Sequence, residues 1–306
     1  MHWYVAATHA NTYGAALIGY TLATCIYGLN CAQATRYFVI HYREDRKVLR
    51  HAICSLWVID TIHTALVTHI IYYFLILLRA TTDPASAAIW SDGVSIIIAN
   101  LNDFGVRCIF LGRIYVLTKK NKPLCFFLAV VICVTIVIGI YCGVLYTLSS
   151  PESLSREIKW PVLFAFSMSA LTDVAISIAL CMQLRRLSHD VESAFPLLRK
   201  LGLYVVKCSL LPSAIALVCL LTYILYPGTF IYSSIFFILP KASFNSLLSM
   251  LNDRRRLRLV LPKASMAQAE ASLENALQNI QSPIPRPFQE NNRVRRRAPT
   301  VVGQHL

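Results

Sequence analysis

Asp60, His63, Asp103, Arg107, Asp173, Lys207 and Lys241 lie well inside long apolar stretches of this 306-residue chain. A charge at the centre of a bilayer costs ~2.5–3.5 kcal/mol on insertion scales, so each needs a partner, a water path or a neutral form. Asp60 and His63, three residues apart, form a proton-sensitive pair in which burial and mutual attraction oppose each other. Asp103 and Arg107 stand at i,i+4 with the acid first, the favoured order for an intrahelical ion pair. If they neutralise one another, Asp60 and Asp173 are left to pair with Lys207 and Lys241 across helices.

Helical geometry sorts these groups into faces. Asp60, His63 and Thr64 share one face, and His69 points away from it. Asn100, Asp103 and Arg107 form a stripe, as do Ser169, Asp173 and Ser177, and Ser234, Lys241 and Asn245. The intramembrane polar core expected from this is Asp60, His63, Asn100, Asp103, Arg107, Asp173, Lys207, Lys241 and Asn245. It is either a hydrated cavity or relay at the bundle centre, or a set of contacts that only hold helices together. The fourth stretch has no charge on any face and is placed toward lipid; the first carries only Thr21, Thr24, Asn30 and Gln33.

The elements that must position these residues are seven apolar stretches, each long enough for the ~20 residues a spanning helix needs. They run Tyr13–Tyr37, Ala52–Leu78, Gly93–Leu117, Cys125–Leu148, Pro161–Leu184, Leu201–Leu225 and Phe230–Met250. The chain is 56% hydrophobic and 14% charged, against ~25% charged in an ordinary soluble domain. The fold class expected is therefore all-α: a polytopic seven-transmembrane-helix bundle. It divides into a short extracellular segment (1–12), the transmembrane domain (13–252) and a basic cytosolic tail (253–306). With no basic segment before it, the first span is expected to act as its own targeting signal.

Arg43, Arg46, Lys47 and Arg50, then Lys119, Lys120 and Lys122, then Arg185, Arg186, Arg199 and Lys200 mark alternate loops, and the intervening loops are poor in positive charge. The positive-inside rule places the N-terminus outside and the tail in the cytosol. Trp3, Trp90 and Trp160 fall at the outer ends, as interfacial indoles favour, with Trp57 the exception. The plasma membrane is the expected location in preference to internal membranes. The net charge of +14 then reflects cytosolic loops that face anionic lipid, and nucleic acid is not an expected partner.

Specific chemistries are missing. The deep histidines His63 and His69 share one helix, which excludes a bis-histidine haem held between facing helices. Asp60 and His63 supply two zinc ligands with no third deep histidine. Lys241 lacks a carboxylate one turn earlier, where Phe237 stands, so a retinal lysine with its counter-ion does not fit. The ten cysteines have no Cys-x-x-Cys spacing and read as apolar filler. No catalytic residue, metal or cofactor is expected, and the chain is read as not an enzyme.

In the tail, Arg254, Arg255, Arg256 and Arg258 suit a lipid-headgroup patch or a topology signal. Ser265 to Gln268 resembles a capping box ahead of Leu273, Leu277 and Ile280 at helical spacing, and Ser282 to Pro287 ends that helix. Pro212 and Pro240 interrupt spans six and seven, as broken helices do in many transporters.

Several motifs together resemble a family of seven-span membrane proteins of unknown function from mushroom-forming fungi. They are Gly14 to Gly19 with Tyr27, Gly28 and Gln33; Leu56-Trp57-Val58-Ile59-Asp60-Thr61-Ile62-His63; Arg113-Ile114-Tyr115-Val116-Leu117-Thr118; Asp173; and Leu239-Pro240-Lys241 followed by Asn245 to Leu248 and Leu251 to Arg254. The resemblance covers about Gly14–Arg254, with Arg107 and Lys207 departing from its pattern. It implies a membrane location and a fungal source, and no activity or ligand.

The function expected is receptor-like or sensory, with a polar central cavity, an unknown small ligand or a cytosolic protein partner, and the bilayer as surroundings. The alternatives are a proton-coupled transporter or permease, and a membrane scaffold without a small-molecule site. Gly112-Arg113-Ile114-Tyr115 stands where a typical G-protein receptor has an acid-Arg-Tyr triplet, and no Asn-Pro-x-x-Tyr follows in span seven.

Overall fold

The computed structural model describes residues 2–40, 45–77, 90–118, 122–148, 158–190, 195–226 and 231–260, with side chains for 14–40, 45–76, 90–116, 118, 122–148, 158–183, 210–226 and 231–252. Eight α-helices carry these residues: α1 His2–Ile40, α2 Lys47–Tyr72, α3 Trp90–Leu117, α4 Lys122–Leu148, α5 Lys159–Asp190, α6 Phe195–Leu225, α7 Ile231–Phe236 and α8 Leu239–Val260. A π-helical turn, Tyr73–Leu77, extends α2. No strand occurs among the described residues.

Six segments are long and apolar enough to cross a membrane: they lie in α1, α2 with its π turn, α3, α4, α5, and α7 with α8. In α6 the apolar part with described side chains, Leu210–Leu225, is shorter. Helix continues through Pro212.

Cross-helix contacts define the arrangement. Tyr20 meets Thr68 and Tyr27 meets Thr61, so α1 and α2 run antiparallel. Asn245 on α8 reaches Asn30, and Ser249 reaches Gln33, so α8 runs parallel to α1. Arg107 and Asp173 meet between α3 and α5, which also run parallel. One end of the bundle carries Lys47, Arg50 and Lys122, here the basic end; Trp90 and Trp160, both exposed, mark the other.

Toward the basic end the described side chains gather into one apolar plug. Phe110, Ile114, Leu128, Leu180, Phe244 and Leu247 belong to one buried cluster that joins α1, α2, α3, α4, α5 and α8. The perimeter is apolar too: Phe126, Phe127, Val137, Leu171 and Leu221 are exposed, a surface suited to hydrocarbon. Threonine hydroxyls on that perimeter, at Thr21, Thr35 and Thr61, bond to the carbonyl four residues earlier. Their one strong donor is satisfied within the helix, which makes them tolerable where no water is present.

Small residues bring α3 and α4 together. A Cβ on Gly93 would stand 2.5 Å from the Gly143 carbonyl, and one on Gly143 would stand 2.9 Å from the Gly93 carbonyl. Gly139 and Gly143 are four residues apart on α4, the small-xxx-small spacing that permits close backbone approach in membranes. The fourth span is therefore not wholly turned to lipid. Its Phe126 and Phe127 face out, while Gly139, Cys142 and Tyr146 face a cavity.

The seventh apolar stretch is broken. Phe237 and Ile238 form a turn between α7 and α8, and the Ile238 N–H bonds back only three residues, to Ile235. Pro240 at the start of α8 explains the site of the break, because it supplies no N–H and its ring collides with a preceding helical turn. Ser234 thus lies on a different helix from Lys241 and Asn245, and packs against Gly19 instead of continuing their stripe.

Candidate functional site: paired charges beneath a cavity

Lys241 begins from an unfavourable position, 1% exposed on the first turn of α8. The ammonium has three donors, and three oxygens receive them: Asp60 Oδ1 at 2.7 Å, the Asp60 carbonyl at 2.7 Å and Thr64 Oγ1 at 2.6 Å. The Tyr27 ring lies 5.3 Å away and adds a cation–π contact. The other Asp60 oxygen accepts from Asn30 Nδ2 at 3.2 Å. The same Asn30 amide donates to the Lys241 carbonyl, and its Oδ1 accepts from Asn245 Nδ2 at 2.9 Å. Helices α1, α2 and α8 are thereby joined by one closed polar network.

A second ion pair joins α3 to α5. Arg107 Nε donates to Asp173 Oδ1 at 2.8 Å and Nη2 to Asp173 Oδ2 at 3.2 Å, while Nη2 also reaches Ser169 Oγ at 2.6 Å. This is the fork geometry that suits guanidinium to carboxylate. The expected intrahelical pairing of Asp103 with Arg107 is thus corrected. Arg107 turns to α5, where two carboxylate oxygens and a hydroxyl match its planar donors, and Asp103 retains only its electrostatic proximity.

Asp103 is the unsatisfied member. It is 7% exposed, Ser243 is its hydroxyl neighbour, and its Oδ1 has no hydrogen-bond partner among the described residues. His63 differs from the expectation as well. It is fully buried beside Lys241, yet neither ring nitrogen bonds to Asp60 or to any other described group. Lys241 occupies the Asp60 carboxylate that the histidine was expected to share.

Asn100 bonds to the carbonyl of Ile96, packs over Gly139 and lines the cavity. Lys207 lies within α6, its side chain outside the described residues, as are those of Arg254, Arg255, Arg256 and Arg258 on α8. The tail segments around Ser265 and Arg293 also fall outside the described residues.

The cavity has a volume of about 100 Å³ and occupies the half of the bundle away from the basic end. Its walls come from α1, α2, α3, α4, α5, α7 and α8. Phe74, Phe166, Phe236 and Phe237 supply aromatic surface, and Asp92, Asp103, Tyr146 and Tyr232 supply polar atoms. Tyr146 and Tyr232 share a hydrogen bond. Asp103 is also part of a smaller void of about 20 Å³ shared with Arg107, Asp173 and Ser243. That is room for roughly one water. Asp103 therefore separates the cavity from the α3–α5 ion pair.

Two contributors, Asn102 and Asp92, escaped the sequence reading, and Asn30 entered it only as one of the few polar residues of the first span. Asn30 is completely buried at the centre of the network. Asn102, also buried, approaches the Pro240 carbonyl at 3.5 Å. Asp92 lines the cavity from the first turn of α3. The signal for Asn30 was an amide deep in an apolar helix; that for Asp92 was a carboxylate at a helix N-terminus, where the dipole favours it.

Fold and site define an all-helical bundle with several helices able to cross a membrane and a charged, cavity-bearing interior. Residues 169–256 match a family of unknown function, DUF6534. The match spans less than a third of the chain, from Ser169 on α5 to Arg256 on α8. It contains Asp173 and Lys241, whereas their partners Arg107 and Asp60 lie before it. No curated protein matches the chain.

Proposed function

We propose that this is a seven-span receptor-like or sensory membrane protein, N-terminus outside and tail in the cytosol, of the fungal kind that its motifs resemble. The observation that carries the reading is the asymmetry of the interior. A cavity lies on one side of the buried ion pairs, and an apolar plug of described side chains lies on the other. A ligand reaching the cavity alters contacts at Asp103, and through the shared void those of Arg107 and Asp173. The basic tail, with Arg254, Arg255, Arg256 and Arg258, then serves lipid headgroups or a cytosolic partner at the plasma membrane.

The rival reading is a proton-coupled transporter or permease. The break between α7 and α8 beside Lys241 favours it, because interrupted helices at mid-membrane mark many transport sites. A third reading, a scaffold without a small-molecule site, draws on the complete pairing of Asp60 with Lys241.

Purified protein in sealed proteoliposomes separates them. The sensory reading expects no proton or solute flux, together with a ligand-dependent change in protease access to the tail. A flux abolished by Asp60→Asn in a folded protein would replace it with the permease.

A further inference from the structure

Among the described interior side chains the charges do not balance. The carboxylates among them are Asp60, Asp92, Asp103 and Asp173, and the cations are Arg107 and Lys241. Lys241 is consumed by Asp60 and Arg107 by Asp173, each at hydrogen-bond distance. The two acids left over, Asp92 and Asp103, both line the cavity. Asp103 is more than nine-tenths buried with one carboxylate oxygen unpartnered, a costly arrangement unless something positive is meant to reach it.

The rest of the wall says what kind of cation. Phe74, Phe166, Phe236 and Phe237 surround the space with aromatic rings, whose faces attract cations and whose bulk excludes water. A metal ion would want a shell of oxygens, and no cluster of three or more acidic, histidine or cysteine ligands exists among the described residues. A volume of about 100 Å³ with aromatic sides is below the range of drug-sized pockets and suits only a small organic molecule. Asp92 stands three turns before Asp103 on the same stripe of α3, beside the Tyr146–Tyr232 pair. Two acids thus stand along the length of the space, one at the floor and one toward the Trp90 end.

The geometry points to this cavity as a binding site for a small organic ammonium compound, its cationic nitrogen on Asp103 and its apolar body between the phenylalanine rings. The inference rests on the sensory reading for its consequence and deepens it by naming the ligand class. An ammonium at Asp103 competes with the field of Arg107 there, which leaves Arg107 more completely to Asp173. Binding would accordingly tighten α3 against α5.

The test uses the purified full chain in lipid nanodiscs and reads heat of binding and thermal unfolding. Phenethylamine and hexylamine are compared with phenethyl alcohol and hexanol, which share their shapes without the charge. The amines are expected to bind and to raise the unfolding midpoint, and the alcohols to do neither. Asp103→Asn is expected to weaken amine binding ~10-fold or more, as loss of a charge-assisted contact does. Because Asp103→Asn disturbs a buried network, Ala165→Leu is the second variant. It narrows the cavity, keeps every charge, and is expected to abolish amine binding while the protein stays folded. Equal binding of amines and alcohols, amine binding unchanged in both variants, no amine binding at all, or the same stabilisation by sodium chloride alone would each overturn the proposal. Amine binding with no change in tail accessibility would confirm the site and remove the sensory reading; an uncharged ligand that moves the tail would do the reverse.

Discussion

At the residue scale the interior is governed by whether each buried charge meets enough donors or acceptors. Lys241 does, with three oxygens for three protons, and Asp60 does through Lys241 and Asn30. Removing one member strands the other, which in buried pairs costs on the order of 3–5 kcal/mol. Lys241→Met and Asp60→Asn are each expected to lower stability strongly, and the double variant to lose clearly less than the sum. Unfolding in detergent across the four proteins measures it, and strict additivity would mean that the pair carries no coupling. His63 should behave in the opposite way. Both of its nitrogens are buried without partners among the described residues, so His63→Leu removes a desolvation penalty while keeping volume. It is expected to be neutral or stabilising in the same assay; a loss of several kilocalories would reveal a partner.

Which residues were interior was largely legible in the sequence; whom they touch was legible only as a set of alternatives, of which Asp60 with Lys241 is one that the structure shows. Asp60, Asp103, Arg107, Asp173 and Lys241 stood out because charge inside an apolar run is rare and expensive. Pairing depends on the rotation and relative height of neighbouring helices, and spacing along one helix says nothing about either. Hence spacing offers Asp103, on the same helix, as one partner for Arg107, though the guanidinium fork fits Asp173 across the bundle. Asn30 received little weight for a related reason. A neutral amide costs less to insert than a charge and gives a fainter signal, yet it bridges three helices.

At the element scale, close approach and interruption set the geometry. Gly93 and Gly143 place each other's carbonyl where a Cβ would otherwise sit, so α3 and α4 pack through backbone. Gly143→Leu is expected to separate them and lower the unfolding temperature. Gly112→Leu, at a glycine with open space around it, is expected to have no such effect. Equal tolerance of both would contradict the packing described. The long apolar stretches announced the helices, but not where one would stop and another begin. Pro240 signalled a kink in span seven, and the chain instead ends α7 at Phe236 and starts α8 at Leu239. Since α8 opens with Pro240 and Lys241, the break fixes where the lysine enters the network. Pro240→Ala should allow α7 and α8 to merge, with slower amide hydrogen exchange at Phe237 and Ile238. Unchanged exchange there would show that something other than proline holds the turn open.

On the scale of the whole molecule the two halves of the bundle differ in kind. Toward the basic end Phe110, Ile114, Leu128 and Leu247 join one buried apolar cluster; toward the other end Asp92, Asp103 and four phenylalanines enclose space. In the orientation we propose from the alternation of Lys and Arg along the chain, the plug would face the cytosol and the cavity the outside. The apolar perimeter, the internal pairing of charges and the hydroxyls bonded within their own helices are three consequences of one condition, a hydrocarbon solvent.

The most direct measurement is side-specific labelling of single cysteines, placed on a background lacking the native ones, in sealed vesicles of known orientation. Ala165→Cys and Ser233→Cys report on the cavity wall, and Phe110→Cys and Leu247→Cys on the plug. The account predicts that a small water-soluble thiol reagent reaches the two cavity positions from the side opposite the basic end only, and reaches the plug positions from neither side. Labelling of Ala165→Cys from both sides, or of Leu247→Cys from the basic side, would contradict it.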